Sequence, residues 1–441
     1  MQLDKDNRMW MGKLPEDWKT RKIKYILWQR NEDNVPVKST DILSLTAKQG
    51  VIPYKDKKGG GNKPKQNLSA YKLAYPGDIV MNSMNILSGA VGLSKYMGCV
   101  SPVYYMFRPI SKKDDVRFFY YVFANKAFQQ SLLGIGNGIL IKKSNTGTYN
   151  TIRMRIPIEK LKNLAIPYPS TYQQKKIADF LDKKCEKIDK LSTQIQQEII
   201  SLRKYRKNII AKTLTKGLDS NVSMKETGIK WIGKIPKNWK ISKIKYEADY
   251  IGSGSTPNSS NYELYDGNVF WIQSGDLYRK RTITNTQVKV TEKAIKTTSS
   301  LKIIKKDFIV IAMYGGSIGN ISMSKISACT NQAVCAIKPN KNNDIKFLYY
   351  WLSFCKDDFF RKASGGTQPN INQIIIKNEF IPRIPLIEQE KIVNYLDNEV
   401  NLIEKIISHK QRQQQLLKKY KHSLIYDFVT GKKQVPSVGE E

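Results

Sequence analysis

Histidine is nearly missing from this chain. The two present are His409 and His422, close together near the end of the sequence. Imidazole acid–base work, a His-based nucleophilic triad and a His-rich metal site are therefore poor expectations. The five cysteines, Cys99, Cys185, Cys329, Cys335 and Cys355, form no C-x-x-C pair, and their number is odd. Reduced thiols in a cytoplasmic protein fit better than a disulfide framework or a zinc site. No G-x-x-x-x-G-K-[ST] phosphate loop occurs. Pro-Pro never occurs, which removes the Asp/Asn-Pro-Pro-aromatic motif of amino-methylating enzymes. No long apolar run, signal peptide or lipidation motif is present, so no membrane partner is expected. Acidic residues are also scarce: 38 Asp+Glu stand against 74 Lys+Arg, a net charge of +36 over 441 residues. Self-repulsion of that size is tolerated when the partner is a polyanion, and nucleic acid leads the candidates. Abundant Lys, Ile and Asn suggest an AT-rich bacterial genome.

What is present is present twice. Residues 9–18 read MWMGKLPEDW and residues 230–239 read KWIGKIPKNW. From Trp10 to Tyr25 against Trp231 to Tyr246, 10 of 16 positions are identical without a gap. The spacing Trp-x-Gly-Lys-x-Pro-x-x-Trp follows no helix or strand period, so it is not an accident of amphipathic patterning. Residues 166–182 and 381–397 form a second echo, with 7 of 17 positions shared. The chain thus reads as globular segment, helix, globular segment, helix. Trp18 and Trp239 stand beside a proline at equivalent places and read as packing anchors.

After Pro169, Ser170 and Gln173 form a capping pair, and neither Pro nor Gly follows until Gly217. Leu181, Ile188, Ile195, Leu202 and Ile209 recur every seven residues, with Leu191 and Tyr205 filling alternate seam positions. That stripe predicts a coiled coil. Some 43 residues at about 1.5 Å each make a rod of roughly 65 Å. A second helix of matched length carries Leu396, Ile403, Leu417 and Leu424 at the equivalent places, with Lys410 where Ile195 stands. The simplest expectation is that the two pair antiparallel.

The globular segments read as mixed α/β. Strands are expected near residues 78–81, 90–93, 104–107, 270–272, 307–312 and 333–337, and short helices over 115–132 and 344–361. The expected division is 1–165 and 217–380 as globular regions (the second including the linker 217–229), 166–216 and 381–434 as long helices, and 435–441 as a tail. Several loops carry the side chains that duplex recognition uses. KDKKGGGNKPKQ (55–66) offers Lys57, Lys58, Asn62 and Lys63. GNGILIKKSNTGTYNTIR (136–153) offers Lys142, Lys143, Ser144, Asn145, Thr148 and Arg153. YRKRT (278–282) offers Arg279, Lys280 and Arg281, and SGGTQPNIN (364–372) offers Thr367, Gln368, Asn370 and Asn372. No catalytic set and no metal-ligand set accompanies them, so a binding module is a better reading than an enzyme. A non-specific nucleic-acid scaffold, and a stand-alone methyltransferase or nuclease with an unrecognised site, are the alternatives.

LTKGLDSNVSMKETGIKWIGKIPKNW (214–239) closely resembles the junction in DNA specificity subunits of type I restriction–modification systems. WIQSGDL (271–277), GGTQPNIN (365–372), LKNLAIPYP and the Gln-x-x-Ile runs at 174–177 and 389–392 are similar to that family as well. The resemblance implies two target-recognition domains on an antiparallel coiled coil, a pseudo-two-fold tandem repeat. It implies a bipartite site on double-stranded DNA and no catalysis by this chain. The implied partners are two modification subunits, which bind S-adenosylmethionine and methylate adenine N6. Two restriction subunits with ATP and Mg would complete the assembly. No cofactor is expected in the chain itself, and the expected location is the bacterial cytoplasm.

Overall fold

The computed structural model describes residues 9–47, 49–57, 63–139, 142–143, 149–150, 153–363 and 370–437. The first long helix, Thr171–Lys216, begins where its sequence can satisfy free backbone amides. Ser170 Oγ accepts from Gln173 N at 3.3 Å, and Ser170 N donates to Gln173 Oε1 at 3.1 Å. This reciprocal pair is a capping box. The second long helix is Leu386–Val429. Left-handed glycines follow both helices, Gly217 at φ +73° and Gly431 at φ +68°. A side chain there would also crowd a tryptophan: an added Cβ would lie 3.3 Å from Trp239 at Gly217 and 3.3 Å from Trp18 at Gly431. Glycine is thus required twice over at each helix end.

The chain folds into two compact units, residues 1–196 with 411–441, and residues 197–410. Each contains part of both long helices. In the first unit, the rings of Phe180 and Phe428 meet at a tilt of 38° with centroids 4.5 Å apart. Lys421 Nζ donates to Asp189 at 2.6 Å, and Gln414 Nε2 donates to the Ser192 carbonyl at 3.4 Å. Partners on one helix rise in number as those on the other fall, so the helices run antiparallel. In the second unit Lys410 pairs with Glu198 at 2.7 Å, and Arg206 pairs with Glu404. The order there is again antiparallel.

Leu181, Ile188, Ile195, Ile209, Leu396, Ile403 and Leu424 are buried; Leu202 and Leu417 are half-buried. The alternate seam positions differ from the sequence expectation. Leu191 and Tyr205 are exposed, at 45% and 53%. Their place is taken by the residues four after each heptad leucine or isoleucine: Cys185 and Ile199, both buried, with Ser192 and Arg206 half-buried. The three-residue spacing looks more apolar in sequence, but the four-residue spacing faces the partner helix. The Ser192 carbonyl accepts from Gln414 of the partner helix, and Arg206 places its charge on Glu404. Lys410 is accommodated in the same way, by Glu198.

The globular part of the first unit is built on a four-stranded antiparallel sheet in the order Leu27–Arg30, Tyr104–Pro109, Ile79–Asn82, Val91–Leu93. Ile79 lies opposite Phe107 on one side and Leu93 on the other. The helix Val116–Ala124 covers it, burying Phe118, Phe119, Val122 and Phe123 completely. Each such side chain stabilises by about 1.5–3 kcal/mol. The second unit uses a five-stranded sheet ordered Ala248–Ser253, Val334–Pro339, Phe308–Ala312, Ile321–Ser324, Thr282–Ile283, with the last pairing parallel. Phe347, Leu348, Trp351 and Leu352 of the helix Ile345–Phe354 are buried against its core. A three-stranded sheet, Val288–Val290, Tyr265–Ile272 and Ala328–Thr330, adjoins.

Both short helical stretches prove to be broken. Residues 115–132 form Val116–Ala124 and Lys126–Ser131, because Asn125 is extended and its Oδ1 caps Ala127 N and Phe128 N. Residues 344–361 form Ile345–Phe354 and Lys356–Lys362, divided at Cys355. No helix among the described residues is long and apolar enough to cross a membrane.

Candidate nucleic-acid interface

Loops can read a ligand only if the elements beneath them are fixed. In the first unit the fixing point is Asp182 on the long helix. Tyr121 OH donates to Asp182 Oδ1 at 2.6 Å and Arg117 Nη1 donates to Oδ2 at 2.8 Å. Its repeat equivalent is Asp397. That carboxylate accepts from Tyr350 OH at 2.7 Å, from Lys346 Nζ at 2.8 Å and from Arg281. Burial opposes ionisation of Asp397, but the bonds from Arg281, Lys346 and Tyr350 outweigh it and hold the carboxyl at about 2. A second anchor recurs at Gln174 and Gln389. Gln174 accepts from Asp115 N at 3.0 Å and donates to the Pro169 carbonyl at 3.1 Å. Gln389 accepts from Asp344 N at 2.9 Å and donates to the Ile384 carbonyl at 3.0 Å. The repeated Gln-x-x-Ile run is therefore a joint between short helix and long helix in each unit.

The entrance tryptophans pack, as their place beside a proline suggests. Trp239 is fully buried and its indole N–H donates to Glu388 at 2.9 Å. Trp18 lies edge-on to Phe118 with centroids 6.2 Å apart. Glu388 thus serves the indole as well as standing at a helix start.

The candidate contact residues fall at several places. In the first unit Lys57 follows a short turn, its Nζ 5.5 Å from the Tyr54 ring, and Lys63 is exposed. Lys58 and Asn62 lie outside the described residues. The backbone at Lys142–Lys143 pairs antiparallel with Tyr149–Asn150, and that at Arg153 pairs with Ile139. Two short backbone pairings result, 137–139 with 153–155 and 142–143 with 149–150. Ser144, Asn145 and Thr148 lie outside the described residues.

In the second unit, Arg279, Lys280 and Arg281 separate. Arg279 has φ +55°, unusual for a side chain with a Cβ. Arg279 and Lys280 are exposed, and the Arg279 guanidinium lies 5.1 Å from the ring of Tyr278. Arg281 turns the other way. It is half-buried, bonded to Asp397 and within 3.2 Å of Tyr350 OH, with its guanidinium 5.1 Å from that ring. Its charge is already matched inside the protein. Asn370 is exposed and bridges backbone with Tyr314. Asn372 is exposed but caps the helix Gln373–Lys377, accepting from Ile375 N at 2.9 Å. Thr367 and Gln368 lie outside the described residues. The exposed Tyr278 next to Arg279 escaped the sequence reading; an aromatic beside a basic run was the available signal.

Two copies of one mixed α/β unit, each locked onto paired helices and each bearing cationic and amide-rich loops, define a duplicated DNA-binding adaptor. The chain belongs to the family of the type I restriction modification DNA specificity domain, whose model matches residues 15–201 and again 236–418. It is a specificity subunit of a type I restriction–modification system, a DNA-binding part of that complex that is itself non-catalytic. A Methanocaldococcus jannaschii chain provisionally named the MjaX type I restriction enzyme specificity subunit is 25% identical over 445 residues, 96% of each chain. The EcoR124I/EcoR124II specificity subunit of Escherichia coli is 26% identical over 273 residues, 59% of this chain and 65% of that one. Among solved structures, a chain from a study of type I system assembly and conformational transition matches with TM-score 0.72 and 16% identity, covering 96% of this chain and 100% of that one. The HsdS subunit of Thermoanaerobacter tengcongensis matches with TM-score 0.53 and 15% identity over 96% of this chain and 98% of that one. These two likenesses concern the fold.

Proposed function

We propose that each globular segment reads one half of a bipartite DNA site and that the paired helices set the spacer between the halves. The single observation that carries this reading is the repeated anchoring. Asp182 with Tyr121 and Arg117, and Asp397 with Tyr350 and Lys346, hold the short helices Val116–Ala124 and Ile345–Phe354 at matched positions of the two long helices. Tethering turns the second half-site contact into an intramolecular step, so both halves are engaged only at the permitted spacing.

Lys57, Lys58, Lys63, Lys142, Lys143, Arg153, Arg279 and Lys280 are the proposed phosphate contacts. Asn62, Ser144, Asn145, Thr148, Thr367, Gln368, Asn370 and Asn372 are the proposed base-edge contacts. Arg281 acts through the loop it holds. The chemistry belongs to partners: two modification subunits that bind S-adenosylmethionine and methylate adenine N6, and two restriction subunits that use ATP and Mg. Methylation requires the adenine to leave the stack, so this chain presents the duplex and the partner extrudes the base. The assembly works beside the chromosome, in the cytoplasm.

The test is to map methylated adenines in cells that carry this chain with its modification partner. A chimera in which residues 14–165 come from another such subunit is mapped alongside. Expected is a two-part motif whose one half changes in the chimera while the other half and the spacer stay. An unchanged motif, or a change in both halves, defeats the assignment.

A further inference from the structure

Two units that read different sequences need different loops. A surface residue kept in both units, with no packing duty, faces something common to both. The stretch Ile-Lys-Tyr occurs at 23–25 and again at 244–246, each time as a single 3-10 turn. The isoleucine has an evident reason: Ile23 and Ile244 are fully buried, and their amides donate to the Leu164 and Glu379 carbonyls, each at 2.9 Å. The lysine and the tyrosine have none. Lys24 and Lys245 are exposed, and Tyr25 and Tyr246 are 65% and 64% exposed. Each lysine lies over its neighbouring ring, at 5.1 Å and 5.0 Å.

The surroundings repeat as well. The turn follows a strand that carries basic residues, Lys19, Arg21 and Lys22 in Lys19–Lys22 of one unit and Lys240 and Lys243 in Lys240–Lys243 of the other, paired antiparallel with Ala165–Tyr168 and Phe380–Arg383. Among the described residues, no ion pair engages Lys19, Arg21, Lys22 or Lys24, nor Lys240, Lys243 or Lys245. In the first unit a shallow hollow of about 470 Å³ opens here, lined by Thr20, Arg21, Lys22, Tyr25 and Ala165.

We propose that Lys24–Tyr25 and Lys245–Tyr246 are a matched pair of pads that grip the sugar–phosphate backbone of the duplex without regard to sequence. Among the described residues no carboxylate pairs with these cations, and a phenol hydroxyl donates readily to phosphate oxygen. Backbone charge is the feature that two unlike half-sites share. The inference rests on the DNA-reading function proposed above.

The experiment uses the full chain with its modification partner. Lys24→Gln/Lys245→Gln and Tyr25→Phe/Tyr246→Phe variants are compared with the parent by DNA titration across salt, on a cognate and a scrambled duplex. Melting curves and co-purification of the modification subunit serve as controls. With both lysines gone, the slope of log affinity against log salt becomes shallower by about 2, since each phosphate contact contributes roughly 0.9. The loss is the same factor on both duplexes, and the Tyr→Phe pair weakens both equally without changing the slope. An unchanged slope overturns the proposal, as does a loss confined to the cognate duplex. Loss of the modification subunit with DNA binding intact also overturns it and makes the pads a protein interface. A parent complex that binds no DNA overturns the DNA reading itself, whereas a binding parent with indifferent variants overturns only the pads.

Discussion

The two units solve one mechanical problem with unequal means. In the first, Arg117 reaches Asp182 while also bonding Asp115 and Asp179, all within the short helix, its cap and the long helix. In the second, Asp397 gathers Lys346 and Tyr350 from the matching helix and adds Arg281 from the 278–282 segment. The second unit therefore ties a candidate contact loop directly to its helix; the first leaves its loops to their own short backbone pairings. The difference shows that the long helices serve as both support and clamp, and that the clamp is the part free to vary between repeats. The Arg206–Glu404 and Lys421–Asp189 pairs make the complementary point. They are repeat equivalents with acid and base on matched helices, so the helix pairing itself has stayed constant.

The comparison can be broken most strongly at the seam. Leu181 and Leu396 are matched and fully buried. Leu181→Ala and Leu396→Ala should each destabilise by about 2–5 kcal/mol, read as a lower denaturation midpoint in urea. A large loss in one and none in the other would mean that the units do not share this support.

The clamp gives the next effect, and it is asymmetric. Asp397 is held at about 2, below the ordinary carboxylate value, so it binds a proton less readily folded than unfolded. Its contribution is present above about pH 4 and is lost as pH falls from about 4 to about 2; the shift corresponds to about 2 kcal/mol. Asp397→Asn should remove that loss from the acid-unfolding profile of the second unit. Asp182, whose side chain is 43% exposed, should yield under about 1 kcal/mol as Asp182→Asn. Equal acid profiles for the two variants would show that the two clamps are equivalent. The smallest effect belongs to Lys410→Ile, which restores the residue type found at Ile195. It exchanges a half-exposed ion pair with Glu198 for apolar burial, and the midpoint should rise by no more than about 1 kcal/mol equivalent. A marked fall would show that the Lys410–Glu198 pair fixes register.

Most of the skeleton was legible because local chemistry and global fold agree in it. The capping pair at Ser170, the terminal glycines and the strand pattern around Phe308–Ala312 each carry their own signal. The seam's second line was not legible. Leu191 and Tyr205 are more apolar than Ser192 and Arg206, and only the partner helix decides which line it meets. The break at Asn125 was hidden because asparagine caps a helix as readily as it rides on one. Among the candidate contacts, composition could gather Arg279, Lys280 and Arg281, but Asp397 takes up Arg281 while Arg279 and Lys280 stay exposed. Which carboxylate a guanidinium meets is set by the tertiary fold, and no count of lysines contains it.

The division of the helices bears on how the protein is made. Residues 197–410 form one uninterrupted stretch, so the second unit has all its parts as soon as its last turn leaves the ribosome. The first unit, though synthesised earlier, borrows Leu424, Ile425 and Phe428 for its core. Its hydrophobic face stays open until translation of those residues, so the nascent first half is the stage at which chaperone capture and aggregation compete with folding.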